Sequence, residues 1–238
     1  MTRATVIARR ELASYFFSPL AYVAMVLFLV AAGFSFWDDF QPGQPATMRS
    51  IFEYMVWLLV FIVPVLSMGL LSQEFATGTV ETMMTAPVND ADVVLGKFLG
   101  SFAFFTVLLL PTLLYVVLLR LYSTPEYGPI FSGYLGLLLV GALFTSVGLF
   151  CSSLTRSQVV AAVSAAAVLV LVTVLPWWAS QKASLSGFWR DAAGQGVLAK
   201  YSDFSKGVLD VGNVVFFVAL TGVFLFLTVK VLEARRWK

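Results

Sequence analysis

The chain has 238 residues, of which 60% are hydrophobic and only 12% are charged. Soluble domains carry about 25% charged residues, so this composition excludes an ordinary soluble domain and indicates a membrane protein with several spans. The net charge of +2, without a block of Lys or Arg, gives no sign of a nucleic-acid partner.

Several classes of active site are also excluded by residues that the sequence lacks. It contains no histidine, which excludes zinc-protease motifs and Ser-His pairs, and its single cysteine, Cys151, has no partner for an internal disulfide. The Gly96-Lys97 pair is followed by Phe98, so the chain has no phosphate-binding loop of the GxxxxGK[ST] type. We therefore expect neither an enzyme nor a bound cofactor or metal ion in this chain.

Residues 1–19 have the pattern of an amphipathic helix. Ala8, Leu12 and Tyr15 fall on one helical face, whereas Arg10 lies on the opposite face. We expect this helix to lie in contact with lipid at the cytoplasmic membrane interface and to end at Ser18-Pro19. A plain basic anchor that fixes orientation is the alternative, and the two are compatible. The residues predicted to form the interfacial helix are Arg9, Arg10, Leu12, Tyr15 and Phe16.

Six apolar segments follow, each long enough to cross a bilayer. They cover residues 20–37, 51–72, 98–119, 130–152, 158–178 and 214–232. About 20 helical residues cross ~30 Å of hydrocarbon, and such uniformly apolar runs suit helices rather than barrel strands. The predicted fold class is an all-α membrane protein with six transmembrane helices, in which Pro64 and Pro111 kink the second and third spans.

The interiors of the predicted spans carry no Asp, Glu, Lys or Arg, and Glu53 near the start of the second comes closest. Ion-coupled transporters usually keep an ionisable group at membrane depth, so this absence disfavours that class. Small residues recur on the fourth span at Gly141, Thr145, Gly148 and Ser152. They permit close helix approach, either within the chain or at a dimer face.

The distribution of positive charge predicts the orientation. With six spans both termini share one side, which holds nine Lys and Arg residues against six on the other. Four of those six lie in the long fifth loop, and without that loop the ratio is nine to two. Because short cytoplasmic loops are enriched in positive charge, both termini and residues 73–97 are predicted to be cytoplasmic, in a multi-pass inner-membrane protein.

Residues 73–97 form the most polar segment between two spans. Glu74 and Glu81 are seven residues apart, on one face of a helix that we expect to run from about residue 73 to residue 86, where Pro87 ends it. Asn89 is then placed to cap the next helix. This pattern predicts a rigid cytoplasmic protrusion that presents carboxylates and hydroxyls outward to a partner. A solvated loop that merely returns the chain to the bilayer is the alternative.

The segment of residues 179–213 is too long to be a simple turn. Phe188, Trp189, Tyr201 and Phe204 occur there among glycines, serines and a few charges. Aromatic side chains at this density favour the membrane interface, so we expect short helices that dip into the outer membrane face.

The sequence from Gln73 to Pro87, followed by Val93-Val94-Leu95-Gly96-Lys97, resembles the first cytoplasmic loop of ABC-2 type transporter permeases. The start of the chain, Arg9-Arg10-Glu11-Leu12 with Tyr15-Phe16, is similar to the interfacial connecting helix of that family. Phe204-Ser205-x-Gly207-Val208-Leu209-Asp210 resembles the branch of gliding-motility-associated permeases and the related permeases that serve copper-enzyme maturation. The resemblance covers nearly the whole chain in span count and order.

The resemblance implies a single ABC-2 transmembrane domain over residues 1–238. Such a permease, most often an exporter, works with a second permease subunit, identical or a sister, and with ABC ATPase subunits that hold ATP and magnesium. The residues implied to contact the ATPase, as a coupling helix, are Glu74, Gly78, Thr79, Glu81 and Pro87. The alternative is a membrane scaffold that recruits a cytoplasmic partner without transporting anything. The substrate stays open.

Overall fold

The computed structural model describes residues 3–39, 47–79, 89–122, 125–180 and 194–236. These residues form ten α-helices and one 3-10 turn, Leu110–Thr112, and contain no β-strand. The helices are α1 Arg3–Phe17, α2 Pro19–Asp39, α3 Arg49–Ser67, α4 Gly69–Thr77, α5 Asp90–Leu109, α6 Leu113–Tyr122, α7 Tyr127–Leu154, α8 Gln158–Ser180, α9 Val197–Ser205 and α10 Val211–Arg236. The predicted all-α class is confirmed.

Six helical segments are long and apolar enough to cross a membrane, as predicted. They are Pro19–Asp38, Arg49–Thr77, Asp90–Tyr122, Tyr127–Leu154, Gln158–Ala179 and Val211–Arg235. The second has 29 residues and the third has 33. Since about 20 helical residues cross the hydrocarbon, both continue beyond its thickness.

The second span continues as α4 after a local break at Met68. Pro64 lies inside α3, which ends at Ser67. Pro111 lies in the 3-10 turn between α5 and α6, in agreement with the expected disturbance of the third span. Proline removes one N–H donor and crowds the preceding turn, which explains the 3-10 turn at Pro111.

The fourth span, α7, is the central helix of the bundle, and its small residues are used within the chain. A Cβ added at Gly141 would meet the ring of Phe105, and one at Gly148 would meet the side chain of Ser67. These glycines therefore let neighbouring helices approach α7 closely. Of the two alternatives for this stripe, packing within the chain is the one observed.

Helix α1 packs against α5, and the close contact depends on two glycines. A Cβ at Gly96 would lie 2.7 Å from Cβ of Ile7, and one at Gly100 would lie 2.7 Å from the carbonyl oxygen of Ala8. Part of the predicted apolar face of α1 is therefore covered by protein, since Tyr15 is buried and Leu12 is half-buried, whereas Phe16 is 40% exposed. The expected contact of this helix with the membrane interface stays a prediction. Sequence periodicity identified the face but could not identify its partner.

The outer-loop prediction is wrong for two of its aromatic residues. Tyr201 and Phe204 on α9 are fully buried, and a Cβ at Gly136 of α7 would meet both. The Tyr201 hydroxyl donates to the carbonyl of Gly133 at 3.3 Å, and burial raises the pKa of this phenol. These two aromatic residues therefore anchor α9 to α7 instead of dipping into lipid. Phe188 and Trp189 lie outside the described residues.

Candidate functional site

A buried lysine joins three helices at the end of the bundle where α4 projects. Lys97 of α5 is only 1% exposed, and its Nζ lies 2.5 Å from Oε1 of Glu11 on α1 and 2.7 Å from Oε1 of Glu74 on α4. Sequence analysis counted Lys97 as a cytoplasmic charge at the end of the polar segment 73–97 and gave it no partner. The structure places it on α5, with its side chain buried in the protein.

Because the cluster is buried, each of its charges needs a partner of opposite charge. A buried ammonium costs several kcal/mol in desolvation unless paired charges offset it, and removing one partner of such a pair costs about 3–5 kcal/mol. Two carboxylates share the single ammonium here, and Oε2 of Glu74 is buried without a hydrogen-bond partner. The three residues therefore fix α1, α4 and α5 relative to one another.

The first turn of α4 is held from another helix. Its early N–H groups have no acceptor within the helix, as at any helix start. Ser152 at the end of α7 accepts hydrogen bonds from the N–H groups of Leu71 and Ser72, each at 3.0 Å. Its hydroxyl also donates to the carbonyl of Met68 at 2.9 Å. One buried serine thus satisfies both sides of the break between α3 and α4.

The end of α10 makes a third contact with α4. The guanidinium of Arg235 lies 4.3 Å from the centre of the Phe75 ring, a cation–π contact. The same guanidinium donates to the carbonyl of Leu154, the last residue of α7, at 2.9 Å. Helix α4 is therefore held by α5, α7 and α10, which come from widely separated parts of the sequence.

Tyr15 fastens the end of α1 to the second and third spans. Its hydroxyl donates to the carbonyl of Leu66 at 2.8 Å and lies 3.2 Å from Oγ of Ser101. Its ring stacks on Phe104, with centroids 4.6 Å apart. Burial raises the pKa of the Tyr15 phenol, which keeps the hydroxyl protonated as a donor. The other residues predicted for the interfacial helix are less buried than Tyr15. Arg9 and Arg10 are exposed, Leu12 is half-buried and Phe16 is 40% exposed.

The predicted coupling residues occupy different environments. Helix α4 ends at Thr77, and Gly78 follows with a φ of 74°, in the left-handed region that favours glycine. The continuous helix expected from residue 73 to residue 86 is therefore wrong at Gly78. Gly78 and Thr79 are exposed, whereas Glu81 and Pro87 lie outside the described residues.

Glu74 does not point outward as expected. Its side chain is 20% exposed and its carboxylate faces Lys97. By contrast, Asn89 stands at the N-cap position of α5 as predicted, with Asp90 and Asp92 in the first turn, although its side chain makes no capping hydrogen bond. Negative charge in a first turn is favourable because it complements the positive end of the helix dipole.

Sequence reasoning missed the contacts that hold α4, and only part of the signal was present. Gly96 and Gly100 are four residues apart, a spacing typical of close helix packing, and they flank Lys97. That pattern could have indicated that Lys97 lies on a packed face. Nothing in the sequence pairs Ser152 with Leu71, or Arg235 with Phe75, because these contacts depend on the tertiary arrangement.

Comparison with known families assigns the chain. A search of curated proteins finds no match. A family model described as ABC-2 family transporter protein matches residues 9–184, which includes residues 9–17 of α1, all of α4 and the buried Lys97 cluster. Because the match covers well over half of the chain, it establishes the family. The chain belongs to the ABC-2 family of transporter proteins and is a multi-pass permease subunit of an ABC transporter.

Proposed function

We propose that this permease is the membrane-spanning half of an ABC exporter, driven by a separate ATPase that docks at the segment beginning with α4. The observation that carries the proposal is the projection of the second span beyond the bilayer thickness as α4, which is held by three other helices. A segment fixed in this way can transmit a push from a docked partner directly into the second and third spans.

The docking surface in this proposal starts where α4 ends. Gly78 and Thr79 are exposed there, and Glu81 and Pro87 follow in the sequence as further contact residues. We assign Glu74 a different role from the one predicted. Its carboxylate holds α4 to Lys97, so it positions the docking surface. The ATP and magnesium that supply the energy belong to the ATPase subunit.

The orientation with both termini in the cytoplasm, in an inner membrane, is part of the proposal. The distribution of positive charge supports this orientation, because three basic residues lie at the α4 end of the bundle. Lys97 is on α5, Arg156 follows the end of α7, and Arg235 is near the end of α10. Arg9 and Arg10 on α1 are close to the same end. The exposed Arg9 and Arg10 are placed to contact lipid phosphates there.

A second permease subunit, either the same chain or a sister, completes the pathway in this proposal. The small residues of α7 do not supply the contact, since they pack within the chain. The helices with the most exposed apolar surface include α2, where Val26, Leu27 and Phe34 are over half exposed. Either lipid or a partner subunit can cover such surface.

The finer assignment to the branch of gliding-motility-associated and copper-enzyme-maturation permeases also belongs to the proposal. Its motif lies beyond the residues matched by the family model. Several residues of the motif have a role in the fold. Phe204 is buried, Gly207 has a φ of 90°, and a carboxylate oxygen of Asp210 accepts a hydrogen bond from the N–H of Gly212. Co-purification with the products of neighbouring genes tests the branch.

The docking proposal is tested by co-purification of the full chain with a P-loop ATPase encoded nearby. Thr79→Trp combined with Glu81→Arg is expected to abolish recovery of the ATPase, because it adds bulk and reverses charge on the docking surface. Gly128→Trp is the control for added bulk, since a Cβ at Gly128 meets nothing within 4 Å and this residue lies at the end of α7 away from α4. Unchanged ATPase recovery with the double variant would contradict the docking surface.

Transport separates this proposal from the alternatives. ATP-dependent, vanadate-sensitive substrate movement in vesicles is expected only for the ABC exporter. A scaffold would bind the ATPase without moving any substrate. An ion-coupled carrier would move substrate on a proton or sodium gradient without ATP, and the buried Lys97 cluster would then be its ionisable site.

A further inference from the structure

We propose that a cavity at the end of the bundle opposite α4 binds an ammonium group, either of a free amine or of an amine-bearing lipid headgroup. The cavity has a volume of about 210 Å³ and lies between α3, α8 and α9. Its lining includes the side chains of Glu53, Trp57, Thr173, Trp177 and Ser202. Neither the ABC-2 family match nor the proposed docking surface assigns a ligand to this cavity.

The first observation is an unsatisfied hydroxyl. Thr173 is 0% exposed, and its Oγ1 has no hydrogen-bond partner. Other buried threonines of the chain donate to the carbonyl one turn earlier, as Thr221 does to Phe217 and Thr228 does to Phe224, each at 2.8 Å. Thr173 departs from that pattern and lines the cavity. A buried hydroxyl without a partner is unfavourable, and a ligand in the cavity could supply the missing hydrogen bond.

The second observation is a pair of indole walls. The rings of Trp57 and Trp177 have centroids 5.4 Å apart and planes inclined at 86°. The two indoles meet edge to face where they line the cavity, and indole is the aromatic group that attracts cations most strongly. This aromatic wall therefore suits a compact cation with an apolar surface, such as an alkylammonium group.

The third observation is the charge. Glu53 is the only charged side chain among the described residues that line the cavity, and it lies one helical turn before Trp57. Its contacts with Arg49, at 3.5 Å, and with the hydroxyl of Ser205, at 3.3 Å, both use Oε1. Arg49 lines a neighbouring cavity instead. The Glu53 side chain is 43% exposed, and within the part of the chain that the structure describes its Oε2 is left to accept a hydrogen bond from a ligand.

One nearby cation has to be considered. Nζ of Lys206 lies 3.4 Å from the hydroxyl of Ser202, which lines the cavity. Lys206 is exposed and lines the same neighbouring cavity as Arg49, so its charge is largely screened by solvent. An ammonium ligand would donate to Oε2 of Glu53 and to the hydroxyl oxygen of Thr173 while resting against the indoles.

The test is a calorimetric titration of the full-length purified protein with ethylammonium chloride, with sodium chloride as the reference. Saturable binding is expected for the wild-type protein. Glu53→Gln should weaken it by at least about tenfold, the usual effect of losing a charge-assisted hydrogen bond. Arg49→Gln is the matched control, because it removes the same ion pair but keeps the carboxylate, and its affinity should be equal or higher.

A second variant tests the hydroxyl specifically. Thr173→Val should weaken ethylammonium binding by about tenfold yet leave tetramethylammonium binding unchanged, because a quaternary ion has no N–H to donate. Thr228→Val, in a buried threonine far from the cavity, should change neither. A general loss of structure would weaken both ligands together, so the difference between the two ions reports on Thr173 itself.

Lipid and free amine are separated in nanodiscs. Phosphatidylethanolamine should lower the apparent affinity for ethylammonium relative to phosphatidylcholine if the headgroup occupies the cavity, because the two lipids have the same net charge and only the first can donate an N–H. Equal affinities would indicate a free amine. The proposal is overturned if ethylammonium binds no better than sodium, if Glu53→Gln binds equally well, or if glucose binds in place of the amine. None of these results depends on ATPase docking, so the two proposals fail separately.

Discussion

The ammonium of Lys97 on α5 and the carboxylate of Glu74 on α4 form an ion pair, with 2.7 Å between Nζ and Oε1 and the lysine side chain only 2% exposed. The pair connects the start of the third span to α4, the extension of the second. Glu11 of α1 pairs with the same ammonium, so α1 is joined to both of these helices. A movement of α4 therefore cannot occur without moving α1 and α5 or breaking a buried ion pair.

Lys97→Met should lower the free energy of unfolding by about 3–5 kcal/mol, because it leaves two carboxylates without their counter-charge. The triple variant Lys97→Met, Glu11→Gln, Glu74→Gln should recover most of that loss, since no unpaired charge remains. Thermal unfolding in detergent measures both. If Lys97→Met alone were as stable as the wild type, the cluster would have no structural role.

The same triple variant distinguishes folding from coupling. We expect it to fold and to bind the ATPase, since the docking surface is intact, but to transport less per ATP hydrolysed because α4 is no longer tied to α1 and α5. The ratio of transport to ATP hydrolysis in vesicles measures this effect. A wild-type ratio would show that the cluster stabilises the protein without transmitting movement.

Ser152→Ala should destabilise the protein by about 1–3 kcal/mol, because it leaves the buried N–H groups of Leu71 and Ser72 without an acceptor. Ser146→Ala is the matched control, since Ser146 is equally buried on the same helix but bonds only the carbonyl of Leu143. Its loss should be clearly smaller in the same unfolding experiment. Equal losses would contradict the role of Ser152 at the α3–α4 break.

Gly100→Leu should detach α1 from α5, because even a Cβ there lies 2.6 Å from Cβ of Glu11. Increased proteolysis at Arg9 and Arg10 measures the detachment. Gly222→Leu on α10 is the control, since a Cβ at that position meets nothing within 4 Å. Protection of α1 in the Gly100 variant would show that the helix docks elsewhere.

Gly78→Val should impair ATPase coupling, because a β-branched residue is strained at a φ of 74°. Gly78→Asn should retain most of it, since asparagine tolerates the left-handed conformation. ATPase recovery and the rate of ATP hydrolysis in the complex measure both. A similar defect in the two variants would assign the effect to the bulk of the added side chain and not to the backbone turn.

The six spans could be predicted because hydropathy over about 20 residues reports directly on burial in lipid. Lys97 could not be placed, since the same averaging treats a lysine at the edge of an apolar run as a loop charge. Its burial depends on Glu11 and Glu74, which reach it from other helices. Gly78 was read as a residue within a helix because its positive φ has no signature in helical periodicity.

The aromatic residues of the outer loop illustrate the same limit. Tyr201 and Phe204 have the composition of an interfacial segment, yet Gly133 and Gly136 on α7 provide a surface that buries them. Glycine on a helix face indicates close approach, but the sequence does not name the element that approaches. Composition therefore predicted a helix after the fifth span and could not predict its docking on the fourth.

The contact between Glu11 and Lys97 also bears on how the chain is made. The two residues are 86 positions apart, so Glu11 leaves the ribosome long before its partner exists. The first helix must wait at the membrane surface until the third span has been inserted. Only then can the amino-terminal helix close on the bundle, so its docking indicates that the first three spans have come together.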